Sequence, residues 1–362
     1  MKIAFDHTAF SIQDYGGITR YFVNLNHHLS LLNVKTNICT YFSKNEYLDE
    51  INHGALRFSF GNRKRYNYLI NEVISLVDPR LLDADIIHTT YYGFLPKHLN
   101  KTKVVTVFDM IHEKFSENFH HNDRVAKLKA SAIKSSDHIV CISQSTKSDL
   151  LYYFPQIESD KVSVVHLASF NSKPLQRSNL PKKNFILYVG ERRGYKNFSC
   201  LVNAYANSEN LKKDFVIVCF GGGAFSNEEI TLFRKLELSQ KISHKTGSND
   251  VLANLYTCAS CLVHTSNYEG FGLPLLEALS YCCPVIASKN SSVPEVLKDA
   301  GIYFRPDDIN DLSKKLNQYL YASSYEQTKI IEKGIEVNKQ FSWKKTANQT
   351  LEIYKGLLKN EK

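Results

Sequence analysis

The sequence predicts an α/β protein of two domains, each built on a parallel sheet. Three observations lead there. Short β-rich runs alternate with amphipathic helical stretches, the pattern of α/β units. The alternation stops at residues 171–184, N-S-K-P-L-Q-R-S-N-L-P-K-K-N, a polar, proline-bearing linker, and then restarts. A chain of 362 residues also accommodates two domains of about 150 residues each.

In the first half, strands are expected at residues 2–5, 36–41, 85–88, 103–108, 138–142 and 161–165, where runs such as H-I-V-C-I are apolar and β-branched. A helix over 16–32 follows a glycine turn. A short helix over 146–153 takes Ser143 or Ser145 as its N-cap. After the linker, strands are expected at 185–189, 215–220, 261–264, 284–287 and 302–304. Helices are expected at 198–207, 251–257, 274–281, 309–321 and 325–338. An amphipathic helix over 343–358 ends the pattern. No sequence repeat relates the halves. Open parallel sheets bind ligands beyond the carboxyl ends of their strands, so two sheets facing each other are expected to hold a ligand in an interdomain cleft.

Composition narrows the function. Hydrophobic residues are 43% and charged residues 22%, ordinary for a globular protein. No apolar run approaches the roughly 20 residues that span a bilayer. The start, M-K-I-A-F-D-H, lacks the apolar core of a signal peptide, so a cytoplasmic protein is expected. The net charge of +9 is spread over both halves, which argues against a nucleic-acid groove. The run Arg57 to Tyr66 mixes cations with aromatics and suits anionic headgroups or an anionic acceptor, or is simply a solvated face. The eight cysteines sit mostly in apolar surroundings. Cys258 and Cys261 have no second pair or histidine pattern to complete a metal site, so buried thiols are expected and no metal.

Five constellations carry chemistry. Residues 266–277 read S-N-Y-E-G-F-G-L-P-L-L-E. Here Glu269 and Glu277 bracket a glycine loop between a strand and a helix, with Pro274 in the first helical turn. Gly270 and Gly272 admit a close ligand, and the helix start favours an anion. Capping the helix is the plain alternative for either glutamate. At 188–197, Y-V-G-E-R-R-G-Y-K-N places Arg192, Arg193 and Lys196 at a strand end, where cations suit a diphosphate. Asp109 and His112 in V-F-D-M-I-H-E follow another strand and suit a sugar hydroxyl or proton transfer, or a structural hydrogen bond. Gly16 and Gly17 expose backbone donors at a helix start, and the glycines at 221–223 with the loop at 245–251 could wall a base pocket. Neither G-x-G-x-x-G nor a G-x-x-x-x-G-K-[ST] loop occurs.

In this order, these motifs resemble the retaining glycosyltransferases of family four, which have the GT-B fold. E-G-F-G-L-P-L-L-E carries the glutamate pair, and I-S-Q-S-T at 142–146 and F-S-W-K-K-T-A at 341–347 fit as well. The resemblance covers essentially the whole chain. It implies an acceptor-side domain over 1–172 and a donor domain over 173–342, with the helix at 343–362 packed back on the first. It further implies that Glu277 holds a ribose. Glu269 and the backbone of Gly270, Phe271, Gly272 and Leu273 would hold the donor sugar. Arg192 and Lys196 would neutralise the diphosphate, Gly16 and Gly17 would pack near it, and Asp109 or His112 would lie beside donor sugar and acceptor. Many members have histidine just before the aspartate, where this chain has Phe108. The implied reaction moves a sugar, mannose or another hexose, from a GDP- or UDP-linked donor to a glycan or lipid-linked acceptor in O-antigen or capsule assembly. No cofactor or metal is needed, and peripheral contact with the inner membrane face is expected. Two other readings share the fold: a nucleotide-sugar epimerase or hydrolase, which needs no acceptor, and a silent sugar-nucleotide-binding protein.

Overall fold

A computed structural model describes residues 1–51, 54, 56, 64–93, 100–119, 123–169 and 184–360. Most of the 171–184 linker and most of the Arg57–Tyr66 run lie outside those residues. The chain forms two compact units, one of Met1–Leu167 with Ser342–Lys362, the other of Ala168–Phe341.

The first unit carries a sheet of six parallel strands: β1 (Lys2–Phe5), β2 (Lys35–Ile38), β3 (Ile86–Thr89), β4 (Thr102–Val107), β5 (His138–Cys141) and β6 (Val162–Val164). Their spatial order is β2-β1-β3-β4-β5-β6. The second carries β7 (Phe185–Val189), β8 (Val216–Phe220), β9 (Ile242–Lys245), β10 (Cys261–His264), β11 (Val285–Ser288) and β12 (Gly301–Phe304), ordered β12-β11-β10-β7-β8-β9. Every pairing is parallel, and the central strands are buried along their length. That is why they read as continuous apolar runs rather than as alternation. In each sheet the winding direction reverses once, between β1 and β3 and between β7 and β10. Ligand sites of doubly wound sheets lie at such reversals.

Most expected strands occur within a residue or two. The 36–41 strand is shorter, because beyond Ile38 the chain leaves the ladder. Asn71 takes over there: its Oδ1 accepts from the N–H of Tyr41 and of Phe42 at 3.1 and 3.0 Å. Strand β9 escapes the sequence pattern because it is a short edge strand with one buried residue in four. The helix Arg124–Ser135 escapes too, since one of its three buried residues is a lysine, Lys129. Ser143, not Ser145, caps the Gln144–Tyr153 helix, accepting from Thr146 N–H. The C-terminal helix Trp343–Asn360 belongs to the first unit. Its Tyr354 hydroxyl lies 2.5 Å from His88 Nδ1 on β3, and Trp343 packs against Tyr21 and His28.

Candidate active site

In the second unit, the loops after β7 and β10 flank the reversal point. Four bonds pin the first loop. Tyr188 Oη donates to the carbonyls of Glu191 and Lys196 at 2.9 and 3.2 Å, Thr265 Oγ1 to that of Lys196 at 2.9 Å, and Asn267 N–H to that of Tyr195 at 2.7 Å. So held, the Lys196 ammonium donates to Glu269 Oε1 at 2.7 Å across the reversal point.

Glu269 is itself locked. Its N–H donates to Ser291 Oγ at 2.9 Å, and its carbonyl accepts from Ser292 Oγ at 2.8 Å. The buried His264, last residue of β10, brings Nε2 to 3.0 Å from Oε1, outside hydrogen-bond geometry. Burial alone would raise the Glu269 pKa, but Lys196 and His264 outweigh it and hold the carboxyl well below the usual range. A buried, ionised carboxylate with a cation beside it can bind hydroxyls and, through its partner, an anion.

Gly272 starts the Leu273–Ser280 helix with φ +90°, and a Cβ there would sit 2.7 Å from Leu275 Cδ1, so the turn requires glycine. Pro274 lies in the first helical turn, and no side chain caps the start. Glu277 is half-buried and accepts from Tyr256 Oη at 3.1 Å. Gly270 and Phe271 are buried, and Leu273 is partly exposed.

Arg192 departs from expectation. Its buried guanidinium points into its own unit: Nε donates to Glu229 Oε1 at 2.7 Å, Nη1 to the Gly221 carbonyl at 2.9 Å, and Nη2 to those of Gly223 and Ala224 at 2.9 and 3.0 Å. It braces the glycine turn at 221–223. There a Cβ on Gly222 would lie 2.5 Å from the Gly190 carbonyl oxygen. Lys196 is thus the cation of this loop set beside Glu269, whereas Arg193 is exposed.

In the first unit, Asp6 directly follows β1 and ties across the β1–β3 reversal, its Oδ1 accepting from Thr90 N–H at 2.7 Å and its Oδ2 from Thr8 Oγ1 at 2.8 Å. Gly16 precedes the Gly17–Leu31 helix, whose start has no side-chain cap. The first N–H groups of a helix have no intrahelical partner. Asp109 follows β4, and its Oδ1 accepts from the N–H of Ile111, the first residue of the Ile111–Lys114 turn, at 3.1 Å. His112 lies on that turn and has a different partner, Asp123. The sequence reading missed His264, Asp6, Asp123 and Lys129. A histidine ending an apolar strand was the available signal for His264, since a buried polar group needs a partner.

Comparisons with known proteins agree with this architecture. The model for glycosyltransferase family 4 matches residues 15–168, and that for glycosyl transferases group 1 matches residues 172–337. The chain is 29% identical over 332 residues to the O-antigen chain mannosyltransferase B of Escherichia coli, covering 84% of each. It is 28% identical over 192 residues to the N-acetylgalactosamine-N,N'-diacetylbacillosaminyl-diphospho-undecaprenol 4-alpha-N-acetylgalactosaminyltransferase of Campylobacter jejuni, about half of either chain (51%). The structure of Anabaena HepE in complex with UDP and glucose superposes with a TM-score of 0.71 at 14% identity, over 98% of this chain and 99% of that one. At that identity the likeness speaks for the fold. One family model on each unit, in order along the chain, matches all but short stretches of it, and the chain belongs to the GT-B glycosyltransferases of family 4.

Proposed function

We propose that this glycosyltransferase moves a hexose, mannose foremost, with retention of configuration, from a nucleoside-diphosphate sugar to a glycan or lipid-linked oligosaccharide of a surface polysaccharide. The observation that carries the reading is the Lys196–Glu269 pair at the β7–β10 reversal. In the proposed complex Glu269, with the backbone of Gly270 to Leu273, holds sugar hydroxyls, and Glu277 holds the ribose. Lys196 turns to the diphosphate, where negative charge grows as the sugar–phosphate bond breaks. The acceptor hydroxyl attacks C1 on the face the phosphate leaves, and its proton passes to the departing phosphate oxygen. Gly16 and Gly17 serve the same anion, Asp109 and His112 the acceptor. No cofactor or metal takes part.

Support for the sugar and acceptor classes comes from the relatives: a mannosyltransferase of O-antigen chains and an enzyme named for a diphospho-undecaprenol acceptor. Contact with a lipid surface is part of the proposal. Among the described residues no helix is long and apolar enough to cross a membrane. The Lys64–Ser75 helix, however, buries Asn67, Asn71 and Ser75 and exposes Tyr66, Leu69 and Val73 on the opposite side, with Lys64 and Arg65 at its start.

A thermal-shift screen against UDP, GDP, ADP and their sugars tests the reading. A ligand at 100 times its Kd stabilises the native state by about 2.7 kcal/mol, so one nucleotide family should raise the melting temperature clearly. No rise with any of them overturns it.

A further inference from the structure

Helix Arg124–Ser135 grips the 109–113 turn at two points. At its N-cap, Asp123 Oδ1 accepts from the N–H of Val125 and of Ala126 at 2.9 and 3.3 Å, while Oδ2 pairs with His112 Nδ1 at 2.5 Å. Six residues on, about 9 Å along the axis, Lys129 is 1% exposed. Its Nζ donates to the Asp109 carbonyl at 3.0 Å and to Glu113 Oε2 at 2.7 Å, and lies 3.6 Å from Asp109 Oδ1. The ring of Tyr92 lies 5.5 Å away. A buried ammonium costs several kcal/mol unless its charge is met. Here it is met by the two ends of the turn that carries His112.

The Asp123 bond has a chemical consequence. An ionised carboxylate only accepts hydrogen bonds, so the proton between the two sits on His112 Nδ1. Asp123 is held ionised: a burial penalty acting against it is outweighed by bonds from His112, Ala126 and Val125, which lower its pKa. Neutral imidazole then keeps its lone pair on Nε2. Phe119 stacks on the ring at 4.2 Å between centroids and 27° between planes, which restricts its rotation.

We propose that Asp123 and Lys129 are positioning residues for the acceptor side of the reaction: Asp123 sets the His112 tautomer so that Nε2 receives the hydrogen bond of a sugar hydroxyl, and Lys129 holds the turn in place. The substrate class rests on the function proposed above, but the tautomer and the splint do not.

Long-range proton–nitrogen NMR on histidine-labelled full-length protein reads this directly. It is recorded at about pH 8.5, above the ordinary histidine pKa of roughly 6.5, and His112→Gln identifies the His112 signals by their loss. Wild-type protein should show one tautomer, protonated on Nδ1. Asp123→Asn keeps a good N-cap yet can donate to the ring, and should move the proton wholly or partly to Nε2. Lys129→Met should split or broaden the His112 signals, and Lys129→Arg should restore a single set. If Lys129→Met does not fold, Asp123→Asn carries the test. An Nε2-protonated wild type, or a spectrum unchanged by Asp123→Asn, overturns the inference. The thermal shift with UDP or GDP should be the same in wild type and Asp123→Asn. Its absence from wild type would sink the donor reading while leaving the tautomer result standing.

Discussion

Lys196 and Glu269 neutralise each other, so each depends on the other. Removing Lys196 leaves a largely buried carboxylate without its cation, at a cost on the order of 3 kcal/mol before screening through the partly exposed lysine. We expect Lys196→Ala to weaken nucleoside diphosphate binding at least tenfold by calorimetric titration and to lower the melting temperature. Glu269→Ala should abolish transfer while still binding the free diphosphate. Wild-type transfer by Glu269→Ala would remove the carboxylate from the site. At this scale the sequence was only partly legible. The segment at 266–277 announced Glu269 through its glycines and proline. Arg192 looked the same in sequence as a phosphate ligand would. Its commitment to the 221–224 carbonyls depends on where β8 ends, 28 residues away in sequence. Asp123 and Lys129 had no pattern to betray them, since a lysine in a polar helix reads as outward-facing.

The Lys64–Ser75 helix raises a different question. Its apolar stripe, continued by Leu76 and Val77, is between 40 and 71% exposed. Six of the fourteen large exposed hydrophobic side chains recorded among the described residues fall between Tyr66 and Leu82. Asn71 occupies the inner face because the chain after β2 offers backbone groups outside the ladder, and its amide satisfies both kinds at once, Oδ1 accepting from Tyr41 N–H and Nδ2 donating to the Phe42 carbonyl. The outer face is then free for an apolar surface. We expect the protein to co-sediment with vesicles of phosphatidylglycerol and phosphatidylethanolamine. Leu69→Ser combined with Val73→Ser should reduce that binding severalfold with little change in melting temperature. Binding unaltered by the double variant would place the lipid contact elsewhere. Helix periodicity alone reports which face is apolar, not which face is inward, and here the ordinary assumption inverts.

Across the first unit, His88 couples the sheet to the C-terminal helix. It is fully buried between Tyr354 Oη and Thr106 Oγ1, and burial, aided slightly by His138, pushes its pKa down to about 3. A folded-state pKa below the unfolded value means that the unfolded chain takes up the proton first. The His88 contribution is therefore intact above about pH 6.5 and is lost as pH falls toward 3. Between pH 7 and pH 5 this one group should cost about 2 kcal/mol. Trp343, the single tryptophan, is buried in this unit, so its fluorescence during urea unfolding follows the unit selectively. His88→Gln should be less stable at pH 7 but show a flatter loss toward pH 5. An equal slope in both proteins would exclude His88 as the source.

The sequence by itself determined the two α/β units, the run of parallel strands, the glycine-loop glutamates and the family. These are local matters: apolar periodicity, turn residues and short motifs act over a few neighbours. Only the tertiary structure decided which charges meet. It set Lys196 against Glu269, turned Arg192 inward, and clasped the 109–113 turn with Asp123 and Lys129. The reason is that a parallel sheet brings strand ends together whose separation along the chain is long, as β7 and β10 are. Charge pairing across such a reversal depends on side-chain direction within angstroms, which no local pattern encodes.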